Sequence, residues 1–313
     1  MKNNTALPIL SGIVTSIIFG LSFLFSKTAL GVASPFELLS FRFLTAFLIM
    51  SALISFKIIK VHYKGKNIKG LLLLGLMQPI VYFIFETYGI KYSSSSIAGL
   101  MIALIPICVT MMSAYFLKES PTKLQIFFIT LSVAGVIFIV MMGSSDSGSN
   151  SLMGVLLLLG AVLSASVFNI LSRKLSSEFT PMELTYSMMG LATLFFNIVS
   201  LFNHLLNKNI NTYFSPLKNK SFLLPIGYLG ILSSIIAFFL INYTLSKIEA
   251  SKSAVLANIS TIVSIVGGVV FLKETFQYYH ILGSILILAG VWGTNYFGIK
   301  KAAKIDSTAE IQL

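Results

Sequence analysis

Phe271-Leu272-Lys273-Glu274 repeats Phe116-Leu117-Lys118-Glu119, and Ala289-Gly290-Val291 repeats Ala134-Gly135-Val136, both at an offset of 155 residues. Two matches in one register read as a duplication of the chain. Nearer the start of each half, Lys27, Pro35, Glu37 and Leu38 correspond to Arg173, Pro181, Glu183 and Leu184 at an offset of 146. The difference between the two offsets is one insertion, placed in the longer loop before residue 221.

Working outward from these copies, apolar runs alternate with short polar breaks through nearly all of the 313 residues. The runs predict helices at about 8 to 30, 35 to 56, 70 to 90, 94 to 117 and 123 to 142. A second set follows at about 151 to 173, 181 to 204, 221 to 245, 250 to 272 and 279 to 299. The break 143–151 (GSSDSGSNS) is Gly/Ser-rich and central, a linker between halves. The expected organisation is a first five-helix unit over 8–142, the linker, a second unit over 152–299 and a cytoplasmic tail over 300–313.

Composition agrees with a chain that lives in lipid. Hydrophobic residues make up 56%, charged residues 10%, and mean hydropathy is +0.91, whereas soluble domains carry about a quarter charged residues. The net charge of +12 comes mostly from lysines between apolar runs, which argues for topology and against a nucleic-acid face. Five helices is an odd number, so the second copy enters the membrane in the opposite sense, the inverted-repeat plan of many secondary transporters. With the N-terminus inside, cytoplasmic segments hold 15 of the 22 Lys and Arg residues and outer segments hold five. That bias places both termini in the cytoplasm. Lys2 is followed by an apolar run with no small-residue cleavage pattern, so the first segment reads as a retained helix rather than a signal peptide.

The pattern resembles the drug/metabolite transporter superfamily, specifically the ten-helix permeases built from two EamA domains. The residues that carry the resemblance are Phe19-Gly20 and Lys27, Ser34-Pro35, Arg42-Phe43, Ala98 and Pro106, with the Leu-Lys-Glu that closes a helix in each half. The resemblance implies an all-α integral membrane protein and small-molecule transport, most often efflux of amino acids, related metabolites or drugs across the bacterial inner membrane. The chain departs from the family pattern in having Phe19 where a Trp is frequent. Met188 stands where the repeat aligns Arg42, and Thr261 where it aligns Pro106.

Polar and charged groups at membrane depth are costly and usually face the bundle interior. Gln78, Tyr82 and Glu86 are spaced i, i+4, i+8 and share one helix face. Two readings stand: the stripe lines a water-filled cavity in which Glu86 binds a substrate amine or carries a proton, or Glu86 pairs with Lys27 or Arg42 and pins the helix ends. Lys27 is near enough to the membrane edge to snorkel; Arg42 is a donor fork able to hold a carboxylate, of a substrate or of the protein. Pro106 predicts a kink or an exposed carbonyl in the fourth helix. In the second half Asn169, Asn242 with Tyr243, and Asn258 with Thr261 are either cavity residues or interhelical hydrogen-bond glue. The expected path lies along helices 1, 3, 4, 6, 8 and 9, with Gln78, Tyr82 and Glu86 facing Asn258 and Thr261. Ser253, Ala257, Ser260, Ser264 and Gly267 read as a small-residue packing stripe, and Phe19 and Phe23 as core or lipid contacts.

Other classes lack their chemistry here. No GxxxxGK[ST] phosphate loop occurs. The two aspartates, Asp146 and Asp306, fall in the linker and the tail, and His62, His204 and His280 fall at loops or helix ends. An enzyme, a resident cofactor and a metal site are therefore not expected, and Cys108, the sole cysteine, forms no intramolecular disulfide. A retinal reading with Lys27 as Schiff base and Glu86 as counterion fails on the duplication. The alternative from another class is an uncoupled channel or membrane sensor. The expected partners are a small-molecule substrate and the bilayer, with protons a candidate coupling ion. Monomer and homodimer are both compatible with the sequence.

Overall fold

In the computed structural model the described residues are 6–117, 122–143, 152–275 and 277–310. Among them every regular element is helical. The first half comprises α1 (Ala6–Leu30), α2 (Pro35–Ser55), α3 (Ile68–Tyr92), α4 (Ser95–Ile102, continuing as Ile105–Leu117) and α5 (Lys123–Gly143). The second comprises α6 (Leu152–Leu175), α7 (Pro181–Leu206), α8 (Lys220–Lys247), α9 (Ala250–Phe271) and α10 (Tyr278–Glu310). Eight of these are long and apolar enough to cross a membrane; α5 and α10 carry the shorter apolar stretches Lys123–Ile139 and Tyr278–Thr294. Linker residues 144–151 and Lys118-Glu119 of the first tetrapeptide lie outside the described residues, as do Lys2 and the last three residues of the tail.

Lipid leaves a spanning segment no choice but to bond its backbone internally, and the two copies solve the end problems alike. α2 begins with a capping box of Ser34 and Glu37 with Pro35 in the first turn, and α7 with one of Thr180 and Glu183 with Pro181. Both helices end in a Schellman motif: the Ile58 N–H returns to the Leu53 carbonyl and the Asn209 N–H to the His204 carbonyl. In each, a lysine (Lys57, φ 60°; Lys208, φ 53°) takes the left-handed position.

α3 and α8 both widen into π-helical turns, at Leu76–Val81 and Tyr228–Ala237. In α3 the backbone at Gln78 leaves the helix altogether (φ −143°, ψ 119°), because the following Pro79 disfavours the helical region for its predecessor. α4 breaks at Ala103–Leu104, just before Pro106, which supplies no donor for the Ile102 carbonyl. α9 breaks at Ala257 without a proline. At the offset of 155 that position aligns with Ile102.

The halves interleave. α1 packs on α8 and α9, α6 packs on α3 and α4, and α2 with α7, α4 with α9 and α5 with α10 pack as pairs. Specific bonds recur by pairs as well. The Ile18 carbonyl on α1 accepts from the Tyr228 hydroxyl of α8, while Ser164, its counterpart on α6, donates to the Met77 carbonyl of α3. At the α5–α10 seam Ser132 donates to the carbonyl of its own repeat counterpart, Ile287 (2.9 Å). A Cβ on Gly135 would sit 2.9 Å from the Gly283 carbonyl oxygen, and one on Gly290 would sit 2.5 Å from that of Phe128. Backbone on both sides of the seam leaves no room for a methyl group.

Gly290→Ala is therefore expected to lower the stability of the purified protein by about 1–3 kcal/mol, read as the thermal midpoint in detergent. Gly227→Ala, whose Cβ meets nothing within 4 Å, is expected not to lower it. Equal midpoints would remove the seam from the fold's stability.

Candidate transport cavity between the halves

A cavity of about 70 Å³ lies between the halves. At roughly 10–15 Å³ per water position, it has room for several waters or a small polar molecule. Its wall comes from α1 (Gly12, Thr15, Ser16, Phe19, Ser22, Phe23), α3 (Gln78, Tyr82, Phe83, Glu86), α6 (Ala165, Phe168, Asn169) and α9 (Ser253, Ala254, Ala257, Ser260). Arg42 of α2, Ile102 and Ile105 of α4 and Ile241 of α8 complete it. α1 can form one wall because Gly20 lets it approach α9: a Cβ there would meet the Ser260 carbonyl at 2.8 Å.

Arg42 dominates the polar side. It is 0% exposed, and two hydroxyls of α8 hold it: Nε donates to Ser234 Oγ (2.9 Å) and Nη2 to Ser233 Oγ (2.8 Å). The guanidinium lies 4.2 Å from the Phe83 ring centroid, a cation–π contact in a dry setting. Nη1 has no hydrogen-bond partner among the described residues. Glu86, 2% exposed, faces the same space; its recorded side-chain bond is a 3.5 Å contact from the Thr87 hydroxyl. No ion pair within 4.0 Å joins Glu86 to Arg42 or Lys27 among the described residues. Gln78 Oε1 and Ser253 Oγ, also on the cavity wall, are likewise buried and unpartnered. Buried polar atoms normally find a partner, so this cluster marks the space as one to be filled by water or ligand.

The remaining sequence candidates are placed as follows. Asn169 lines the cavity, with its Nδ2 given to the Ala165 carbonyl (2.8 Å). Lys27 lies off the wall: its Nζ donates to the carbonyls of Ile90 (2.8 Å) and Ser93, capping the end of α3. Thr261 also lies off the wall, donating to the Gly99 carbonyl (2.8 Å) and stitching α9 to α4. Asn258 is absent from the wall, and its Oδ1 is buried without a partner. Pro106 shapes the wall through the break that presents Ile102 and Ile105, without lining it. In the second half the wall is formed by Ser253, Ala257 and Ser260 rather than by Asn258 and Thr261, and the part of α9 beyond the break at Ala257 packs on α4. Asn242 is interhelical glue, taking the Ser172 hydroxyl (2.7 Å) and giving to Thr185 (3.1 Å).

The roles of two groups were not read from the sequence, although Glu274 belongs to the recurring Phe-Leu-Lys-Glu. Ser233 and Ser234 looked like ordinary small membrane residues, yet at the offset of 155 they stand opposite Gln78 and Pro79. Glu274 accepts from the backbone N–H and hydroxyl of both Ser95 and Ser96 at the start of α4. Together with Lys27 it ties off the bundle beyond Glu86. At the opposite face Glu183 accepts from the His62 N–H (2.8 Å) and Lys66 Nζ (2.6 Å), and its carbonyl accepts from Tyr63 Oη (2.8 Å). Burial, with Glu183 beside it, holds the Tyr63 phenol well above its ordinary range, so it remains a donor.

A bundle of helices, eight of them long and apolar enough to cross a membrane, around an internal cavity that holds a buried arginine and glutamate is the architecture of a multi-pass membrane protein. The family model described as the EamA-like transporter family matches residues 6–141 and again 152–296; the chain belongs to this family. It is 42% identical to the uncharacterized transporter YcxC of Bacillus subtilis over 295 residues, covering 94% of this chain and 95% of that protein. An uncharacterized transporter of Archaeoglobus fulgidus is 28% identical over 89% of this chain and 95% of its own length. A WAT1-related chloroplastic protein of Arabidopsis thaliana is 21% identical over 89% of this chain and 67% of its own. A solved crystal structure superposes with a TM-score of 0.63 at 17% identity, covering 92% of this chain and 97% of that one, which shows a shared fold. The protein is a transporter of the drug/metabolite type, not an enzyme.

Replacing Ser233 and Ser234 together by Ala leaves a buried guanidinium without its two acceptors. The double variant is expected to lose about 3 kcal/mol, read by thermal unfolding in detergent. Adding Arg42→Met, the residue its repeat counterpart Met188 carries, is expected to restore most of that loss, since the unmet charge is gone. Absence of recovery would show that the serines act otherwise than through Arg42.

Proposed function

We propose that this protein is a secondary active transporter that carries a small polar metabolite through the cavity between its halves by alternating access. In this reading all ten helices, α5 and α10 included, cross the bilayer as two inverted five-helix units over 8–142 and 152–299. The 143–151 linker joins them, and both termini and the 300–313 tail lie on the lysine-rich, cytoplasmic side of the inner membrane. The observation that carries it is the set of buried polar atoms around the cavity that have no partner among the described residues, Arg42 Nη1, Gln78 Oε1 and Ser253 Oγ, with the Glu86 carboxyl group beside them. Intramembrane ionisable groups facing a cavity mark substrate or proton paths.

The geometry favours a molecule of mixed character. An anionic group of the substrate would take Arg42 Nη1, a donor or ammonium group would take Glu86 and Gln78 Oε1, and an apolar part would rest on Phe19, Phe23 and Phe168. Export is the direction that the resemblance implies. Glu86 is the candidate proton carrier, being buried and free of an ion pair within 4.0 Å among the described residues. An uncoupled channel fits less well, because beyond Glu86 Lys27 ties α1 to α3, and Glu274, in the segment that follows α9, holds the start of α4.

Metabolite profiling of the medium from cells overexpressing the protein is expected to show one compound class in excess over an empty vector. In proteoliposomes loaded with that compound, Glu86→Gln is expected to abolish pH-gradient-driven accumulation while leaving exchange across the membrane intact. Unchanged accumulation in that variant would remove Glu86 from coupling.

A further inference from the structure

The loop from Lys57 to Asn67, which joins α2 to α3, is anchored by hydrogen bonds and yet presents charge that forms no ion pair among the described residues. Three anchors fix it. His62 N–H and Lys66 Nζ bind the Glu183 carboxylate, Tyr63 Oη binds the Glu183 carbonyl, and Asn67 N–H binds Glu178 Oε1 (2.6 Å). The Schellman end of α2 fixes its start. These bonds occupy Glu183 and engage Glu178, so Lys57, Lys60 and Lys64 project without an ion pair among the described residues. All three are exposed. Interleaved with them, Phe56 and Ile58 are 77% and 69% exposed.

Bulky apolar side chains flanking cations at the end of a membrane helix have one natural environment, the boundary where acyl chains meet phosphate headgroups. We propose that this anchored loop is a binding surface for anionic phospholipid headgroups of the leaflet it faces, with Phe56 and Ile58 seated among the acyl chains and Lys57, Lys60 and Lys64 on the phosphates. Because the loop is held by Glu183 and Glu178, the lysines are ordered before lipid arrives, and little conformational freedom is lost on binding.

The duplication supplies an internal comparison. The counterpart loop after α7 begins at the same left-handed lysine, Lys208, in the same Schellman geometry. It too exposes apolar side chains, Ile210 and Phe214. After Lys208, however, it carries Asn209 and Asn211 and no further cation until Lys218. The backbone device is common to both loops, and the dense lysine run belongs to one.

The test uses the full-length protein reconstituted in nanodiscs of phosphatidylcholine mixed with phosphatidylglycerol, with the lipid retained after detergent extraction measured by native mass spectrometry. A lysine at an anionic surface contributes roughly a factor of five to partitioning. Wild type is expected to retain phosphatidylglycerol preferentially, the preference falling as salt rises. Lys57→Gln with Lys60→Gln and Lys64→Gln is expected to reduce the enrichment at least about fivefold. The matched change of Lys208, Lys218 and Lys220 to Gln is expected to leave most of it. Thermal midpoints equal to wild type confirm that each variant is folded; for a variant that falls short, single Lys→Gln changes replace the triple, each expected to lower the enrichment in part. Undiminished enrichment in the folded Lys57/Lys60/Lys64 variant, or equal loss in the two triple variants, would overturn the proposal.

Discussion

The core of a bilayer offers no hydrogen-bond partner, so every polar group at that depth must be satisfied by the protein or face an enclosed space. That constraint sorts this chain. Leucines such as Leu163 and Leu194 are left outward, while Arg42, Glu86, Gln78 and Asn169 are turned inward to one region between the halves. Elsewhere some buried polar groups close on one another, as Asn242 does with Ser172 and Thr185, and a few isolated atoms such as Ser26 Oγ and Asn258 Oδ1 find no partner among the described residues. Around the cavity three such atoms, Arg42 Nη1, Gln78 Oε1 and Ser253 Oγ, gather beside Glu86.

Duplication explains the frame, and departures from it explain the site. The capping boxes, the Schellman ends, the widened turns of α3 and α8 and the breaks of α4 and α9 are shared by the two copies. The charge at cavity depth is not. Arg42 has Met188 as its counterpart, and the serines that hold it replace Gln78 and Pro79 of the other copy. A symmetric pair of arginines facing one small cavity would repel and each would need its own acceptors. Keeping one leaves a single cation on the cavity wall, which Glu86 also lines.

The latches at the two faces differ in the same manner. Glu37 at the start of α2 is met by His204 (2.9 Å), and Glu183 at the start of α7 by Lys66. Both glutamates already serve their own helix caps, which is why Glu37 and Glu183 stood out as repeat-matched residues. Their cross-half partners did not, since His204 and Lys66 lie at the ends of segments whose relative placement is set only when helices pack.

Apolar run lengths, the recurring FLKE and the Pro-x-Glu starts determined by themselves that this chain folds as a duplicated helical membrane protein, because lipid thickness and backbone self-satisfaction leave so few alternatives. Glu86 stood out for the same reason, charge at depth being costly; Gln78, Tyr82 and Glu86 do line one cavity, although the backbone at Gln78 departs from the single straight helix that their spacing assumed. Tertiary packing alone decided that Ser253 and Ser260, rather than Asn258 and Thr261, face that stripe, and that Ser233 and Ser234 hold Arg42. A helical period gives the relative directions of side chains on one straight helix. It does not give the rotation of one helix against another, and here the π turn of α8 and the break of α9 reset that rotation partway across the membrane.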